Sequence, residues 1–262
     1  MSAYGGSVWY NKKMVALEHA LPLTGRLLNA VVVLIIALSS FSLGWSILKS
    51  GFLSRQQKLF AYFWIATGFL WISSTIRNVF SAYEIFSIDK LFFYGSQLFL
   101  YVSGVFLAPY LINKIVSGGR TGYIVQGCYI LLGFFGFIAT LIYGIEALPP
   151  DFFSTKYFVL FPASLFAIIA MAPMIIVSIL ETVYEAIRYM HGNGAGHEVL
   201  SVLSIVMYVS VGVIDQIGFV VGWNLIALRL VYLVAFLIAY GAVAREKESH
   251  AASQEEHVFY VS

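Results

Sequence analysis

Apolar residues run along the chain in seven long stretches, near 27–48, 59–80, 91–112, 123–145, from 156 onward, 199–221 and 225–244. Short polar or turn-forming groups separate them, among them Gly118-Gly119, Pro149-Pro150-Asp151 and Gly222-Trp223-Asn224. Each stretch has at least about 18 residues, the length a helix needs to cross roughly 30 Å of hydrocarbon. A lipid-exposed backbone must satisfy its own hydrogen bonds, so such stretches become helices. The expected fold is all-α: an integral membrane protein of seven transmembrane helices.

The pattern changes at both ends. Residues 1–26 mix Trp9, Tyr10, Met14, Val15, Leu17 and Leu21 with Lys13, Glu18 and His19. This suits a short interfacial helix that stops at Pro22, retained rather than cleaved as a signal peptide. Residues 27–244 form the bundle, and 245–262 form a polar tail that reads as disordered until its last apolar tetrad. The fifth helix is expected to outrun the membrane by two to three turns. There Val183, Ile187 and Met190 line one side, a candidate docking stripe for a partner, while Glu181, Glu185 and Arg188 mark the other.

Composition supports this division. Of 262 residues, 60% are hydrophobic and only 11% charged, against about 25% charged in soluble domains. The net charge of +2 is unclustered and gives no basis for nucleic-acid binding. Basic residues distribute unevenly: Lys49, Arg55, Lys58, Lys114, Arg120, Arg188, Arg245 and Lys247 fall on one side, and Lys12, Lys13, Arg26, Lys90 and Lys156 on the other. The positive-inside rule then expects the N-terminus outside and the C-terminus inside, in the cell membrane.

Against this apolar background the polar positions stand out. Asp215 and Arg229 lie about equally far from the Gly222 turn, both roughly 10 Å below it at 1.5 Å per residue. They are expected to be partners. Arg77, Gln97 and Gln216 fall in the same outer third of the membrane, so Arg77, Gln97, Asp215, Gln216 and Arg229 form one candidate ligand-binding layer. Counting Arg77 and Arg229 against Asp215 leaves one positive charge to attract an anion, a lipid headgroup or a carbonyl-bearing ligand. The alternative is a structural clamp, with Asp215 on Arg229 and Arg77 snorkelling to headgroup phosphate. Pro109 and Pro173, in the related runs Leu-Ala-Pro-Tyr-Leu-Ile and Met-Ala-Pro-Met-Ile-Ile, are candidate hinges. The small residues Gly133, Gly136 and Ala139 are expected to allow close helix packing.

Several chemistries lack their residues. All five histidines lie outside the apolar stretches, so neither buried haem ligation nor an intramembrane histidine metal site is expected. The single cysteine, Cys128, permits no internal disulfide and no cysteine metal site. The last stretch has no lysine for a Schiff base, and no phosphate loop, HExxH or Gly-x-Ser-x-Gly motif occurs. No cofactor or catalytic residue is expected. The chain reads as a non-enzymatic subunit or sensor-like module that binds membrane lipids and other membrane subunits or a signalling partner. A small transporter or channel with proline-hinged helices is the alternative.

If Asp215 and Arg229 pair, Arg229→Leu should damage folding more than the double change Asp215→Asn/Arg229→Gln, since the single change strands a buried charge. Thermal unfolding in detergent compares them, and equal damage would count against the pair.

Overall fold

The computed structural model describes the backbone over residues 5–49, 53–116, 119–217 and 220–259, and side chains over 23–49, 53–116, 120–215 and 220–246. In chain order the elements are α1 (Gly5–Leu48), α2 (Arg55–Ala82), α3 (Phe86–Ile115), α4 (Gly119–Tyr143), β1 (Ile145–Leu148), β2 (Lys156–Val159), α5 (Ala163–Met190), α6 (Gly196–Ile217) and α7 (Trp223–Phe259). Among the described residues, seven helices are long and apolar enough to cross a membrane. The protein is an all-α membrane protein with one small β-hairpin.

Neighbours in sequence pack against each other, and α7 returns to α1, closing the bundle. Ser54 and Gln57 start α2 with reciprocal side-chain to backbone bonds that satisfy two otherwise orphaned donors. This helix is the most enclosed: 72% of its apolar window is buried, against 22% for α4, which lies on the periphery. Gly44 brings α1 and α2 together, because a Cβ there would stand 2.9 Å from the Ala61 carbonyl oxygen. Gly136 on α4 likewise receives the Tyr101 ring of α3, so the small residues of this helix serve internal packing.

On its other side α2 meets α6 and α7 through rings. Trp64 packs edge-on to Tyr208 at 5.4 Å and tilts against Phe236 at 5.0 Å, while Trp71 meets Tyr232 at 4.7 Å.

Three expectations need correction. The backbone of α1 runs unbroken through Pro22. Side chains of 1–22 are outside the described residues, so the interfacial reading of that segment is not addressed. The tail backbone continues α7 to Phe259; its Ala, Glu and Gln residues are good helix formers. Residues 156–159 form a strand paired with 145–148, not the start of α5, which begins after Pro162. At the end of α5 the two faces are kept, with the glutamates of the polar side inward and the apolar stripe outward. Glu181 and Glu185 are 1% and 3% exposed, whereas Val183, Ile187 and Met190 are 52%, 46% and 74% exposed.

Gly44→Leu is expected to cost about 1–3 kcal/mol by overpacking the α1–α2 contact. Gly241→Ala, in open space on α7, should be neutral or raise stability by up to about 1 kcal/mol. Thermal unfolding of the two variants in one detergent tests the difference.

Candidate polar cavity under the hairpin

The α2–α3 connection is short, so the last turns of α2 and the first turn of α3 lie side by side. Arg77 comes from the former and Asp89 from the latter. Asp89 is fully buried and accepts from Arg77 Nε at 3.0 Å, from the Tyr157 hydroxyl at 2.9 Å and from the Thr155 hydroxyl. Arg77 also donates through Nη2 to the Thr155 carbonyl at 3.1 Å, and its guanidinium lies over the Phe93 and Tyr157 rings. An ionised carboxylate is costly to bury unless donors surround it. Here two of those donors come from the hairpin, which Asp89 thereby fastens to the helices.

The hairpin loop is fixed elsewhere too. Asp151 Oδ1 accepts from the backbone N–H groups of Phe153 and Ser154, both at 2.7 Å, which folds the loop on itself. Phe153 is then buried, its carbonyl accepting from Asn29 at 3.1 Å and its ring 4.9 Å from that of Trp223. The other Asp151 oxygen accepts from Gly222 N–H at 3.4 Å and faces Lys156 Nζ at 3.7 Å, while Lys156 donates to the Val220 carbonyl at 2.6 Å. These contacts tie the hairpin to the turn between α6 and α7.

On those two helices Arg229 Nη1 meets Asp215 Oδ2 at 2.6 Å. The guanidinium also lies 4.7 Å from the Trp71 ring centre and 5.9 Å from that of Tyr232. Cation–π contact of this kind adds to the pair in a desolvated setting. Trp71 in turn donates to the Tyr208 hydroxyl at 2.9 Å.

Between these groups is a cavity of about 130 Å³, roughly ten times what one water molecule requires. Its wall includes Arg77, Gln97, Asp215 and Arg229, four of the five residues of the expected layer, together with Thr155, Lys156 and Tyr157. Gln97 is buried. The side chain of Gln216 is outside the described residues. Pro109 and Pro173 each sit inside an unbroken helix, the first buried and the second exposed, and neither lines the cavity.

The expected surplus of positive charge is absent from this geometry. Asp89 answers Arg77, Asp215 answers Arg229, and Asp151 lies beside Lys156. Of these six groups Arg77, Lys156, Asp215 and Arg229 line the cavity, and Asp89 and Asp151 hold their cations from behind its wall. Asp89 was missed because it falls in the polar group between two apolar stretches, which reads as a loop in water. The equal-depth argument that matches Asp215 to Arg229 also applies here, since Arg77 and Asp89 stand at similar distances on either side of the turn at 83–85.

Among the described residues no cluster of His, Cys, Asp and Glu is arranged to hold a metal ion. No protein-family model matches the chain, and no curated protein matches it.

Burial first, and then the charge and hydrogen bond of Asp89, push the Tyr157 phenol above its ordinary range. A folded value above the unfolded one, about 10, means that the contact stabilises fully below that pH and is lost as pH rises through the folded value. Asp89→Leu should cost about 3–5 kcal/mol by stranding Arg77, and Tyr157→Phe about 1.5–3 kcal/mol. The double change Arg77→Leu/Asp89→Leu should be milder than Asp89→Leu alone. Chemical denaturation followed by tryptophan fluorescence measures all three.

Proposed function

We propose that this protein works by binding rather than catalysis, as a sensor-like module or subunit of a larger membrane complex, holding a small uncharged or zwitterionic molecule in the cavity under the hairpin. The single observation that carries this reading is the cavity itself, whose wall combines the Trp71, Tyr208 and Tyr232 rings with Asp215 and with Arg77, Lys156 and Arg229, each of these cations held by a carboxylate. A fixed array of paired charges offers hydrogen bonds to a polar group without favouring either sign. A lipid headgroup, or a small molecule with an apolar body and one polar end, suits such a wall.

The distribution of Lys and Arg supports placing the hairpin end outside and the C-terminus inside, in the cell membrane. The exposed stripe of Val183, Ile187 and Met190 on the last turns of α5 supports a contact with another membrane subunit or a signalling partner. Any chemistry downstream of binding then belongs to that partner.

Transport is the second reading, and one observation favours it. The inward turn of Glu181 and Glu185 continues the polar positions into the half of the bundle beyond the cavity. Flux measured in proteoliposomes separates transport from binding alone.

Gly212 lines the cavity, and a Cβ built on it meets only the Tyr232 hydroxyl, at 3.7 Å. Gly212→Leu should therefore fill the cavity without disturbing the helices. Native mass spectrometry after mild-detergent purification is expected to show a bound small molecule or lipid on the wild type, reduced at least tenfold in Gly212→Leu. A wild-type protein that purifies as a bare monomer, with no ligand and no partner, would sink the binding reading.

A further inference from the structure

At the end of the bundle opposite the hairpin, one face of α5 carries Met174, Ser178, Glu181 and Glu185 into the interior, at spacings of four, three and four residues. Met174 reaches the cavity described above. Glu181, two turns further on, does not. It is 1% exposed, and neither carboxylate oxygen has a hydrogen-bond partner.

The groups around Glu181 can be counted. Glu185 and Arg188 share its helix, Tyr110 and Lys114 face it from α3, and Glu198 from α6. Glu246 of α7 faces Tyr110 and accepts from Gln57 of α2 at 2.8 Å, while Arg245 lies beside Gly196. Arg188 is already committed: its Nη1 is 3.2 Å from both Glu185 oxygens and 3.8 Å from Glu198, and its Nη2 donates to the Asn193 carbonyl. Lys114 lies over the Tyr110 ring, 5.7 Å from its centre. Glu181, Glu185 and Glu198 thus meet Lys114 and Arg188, three carboxylates to two cations, and the carboxylate with no donor of its own is the most deeply buried of them.

We infer that Glu181 is a proton-binding site, occupied in this packing of α3, α5 and α6. A buried carboxylate with no donor is not held as an anion when a surplus negative charge surrounds it. Metal chelation is not available to it, since no suitable cluster exists among the described residues. A proton needs no cavity and balances the count. It comes from the aqueous phase at that end and forms one O–H bond on Glu181, and no bond within the protein is broken. Intramembrane acids of this kind serve as proton carriers where a helix can expose them to water. Release of the proton then requires the end of α5 to move away from α3 and α6, and α5 is also the helix that carries Met171 and Met174 into the cavity wall. The site stands whether or not the cavity holds a ligand.

Infrared spectroscopy of the full chain in lipid nanodiscs tests this assignment. At neutral pH the wild type should show the carbonyl band of a protonated carboxyl group, lost in Glu181→Gln and kept in Glu185→Gln. Glutamine reproduces the shape and neutrality of the protonated acid, so Glu181→Gln should fold and melt within a few degrees of the wild type. A wild-type spectrum without the band would overturn the assignment, as would a band that survives Glu181→Gln undiminished or a Glu181→Gln protein that does not fold.

Discussion

The carboxylate of Asp89 sets the arrangement of one whole end of this molecule. Removing a charge from water costs several kcal/mol even after relaxation, and Asp89 is removed from it completely. The cost is offset only by donors brought to it, and they come from three places in the chain: α2, the end of the hairpin loop and β2. The hairpin cannot shift without withdrawing two of them. Because the hairpin is held, Asp151 is held, and with it the turn that positions Asp215 against Arg229. The cavity wall is a consequence of this chain of contacts.

The seven helices were legible because lipid leaves the backbone one solution over stretches of this length. Asp215 and Arg229 were legible for a geometric reason: a tight turn between two helices converts equal sequence distance into equal depth. What could not be read were the places where an apolar run conceals a change of structure. Lys156–Val159 is apolar enough to merge with the helix that follows, and only the proline at 162 marks the join. The burial of the α5 glutamates could not be read for a different reason. Their periodicity separates two faces but does not say which one turns inward. In a water-soluble helix the charged face is outside; beside lipid, and against other charged side chains, the preference reverses.

The two ends of the bundle handle charge differently. Under the hairpin Arg77, Lys156 and Arg229 each have a carboxylate, and these groups are bound to one another across elements. Around Glu181, at the other end, carboxylates outnumber cations, and Arg188 is shared between Glu185 and Glu198. Balanced, cross-linked charge makes a rigid wall that can be reused without rearrangement. Unbalanced charge has to be compensated from solution, and it makes that end responsive to what the solution contains.

The placement of Phe153 bears on how the chain assembles. Its carbonyl is held by Asn29 of α1, and its ring rests on Trp223 at the start of α7, so the middle of the chain fills a seam between its first and last helices. During synthesis α1 and α2 emerge with Asn29 already able to bond Asn78, but the site for Phe153 stays open until four helices are in place. It is closed over only when the seventh arrives. The contact joins three parts of the chain that lie far apart in sequence, so it is complete only once the last helix has been made.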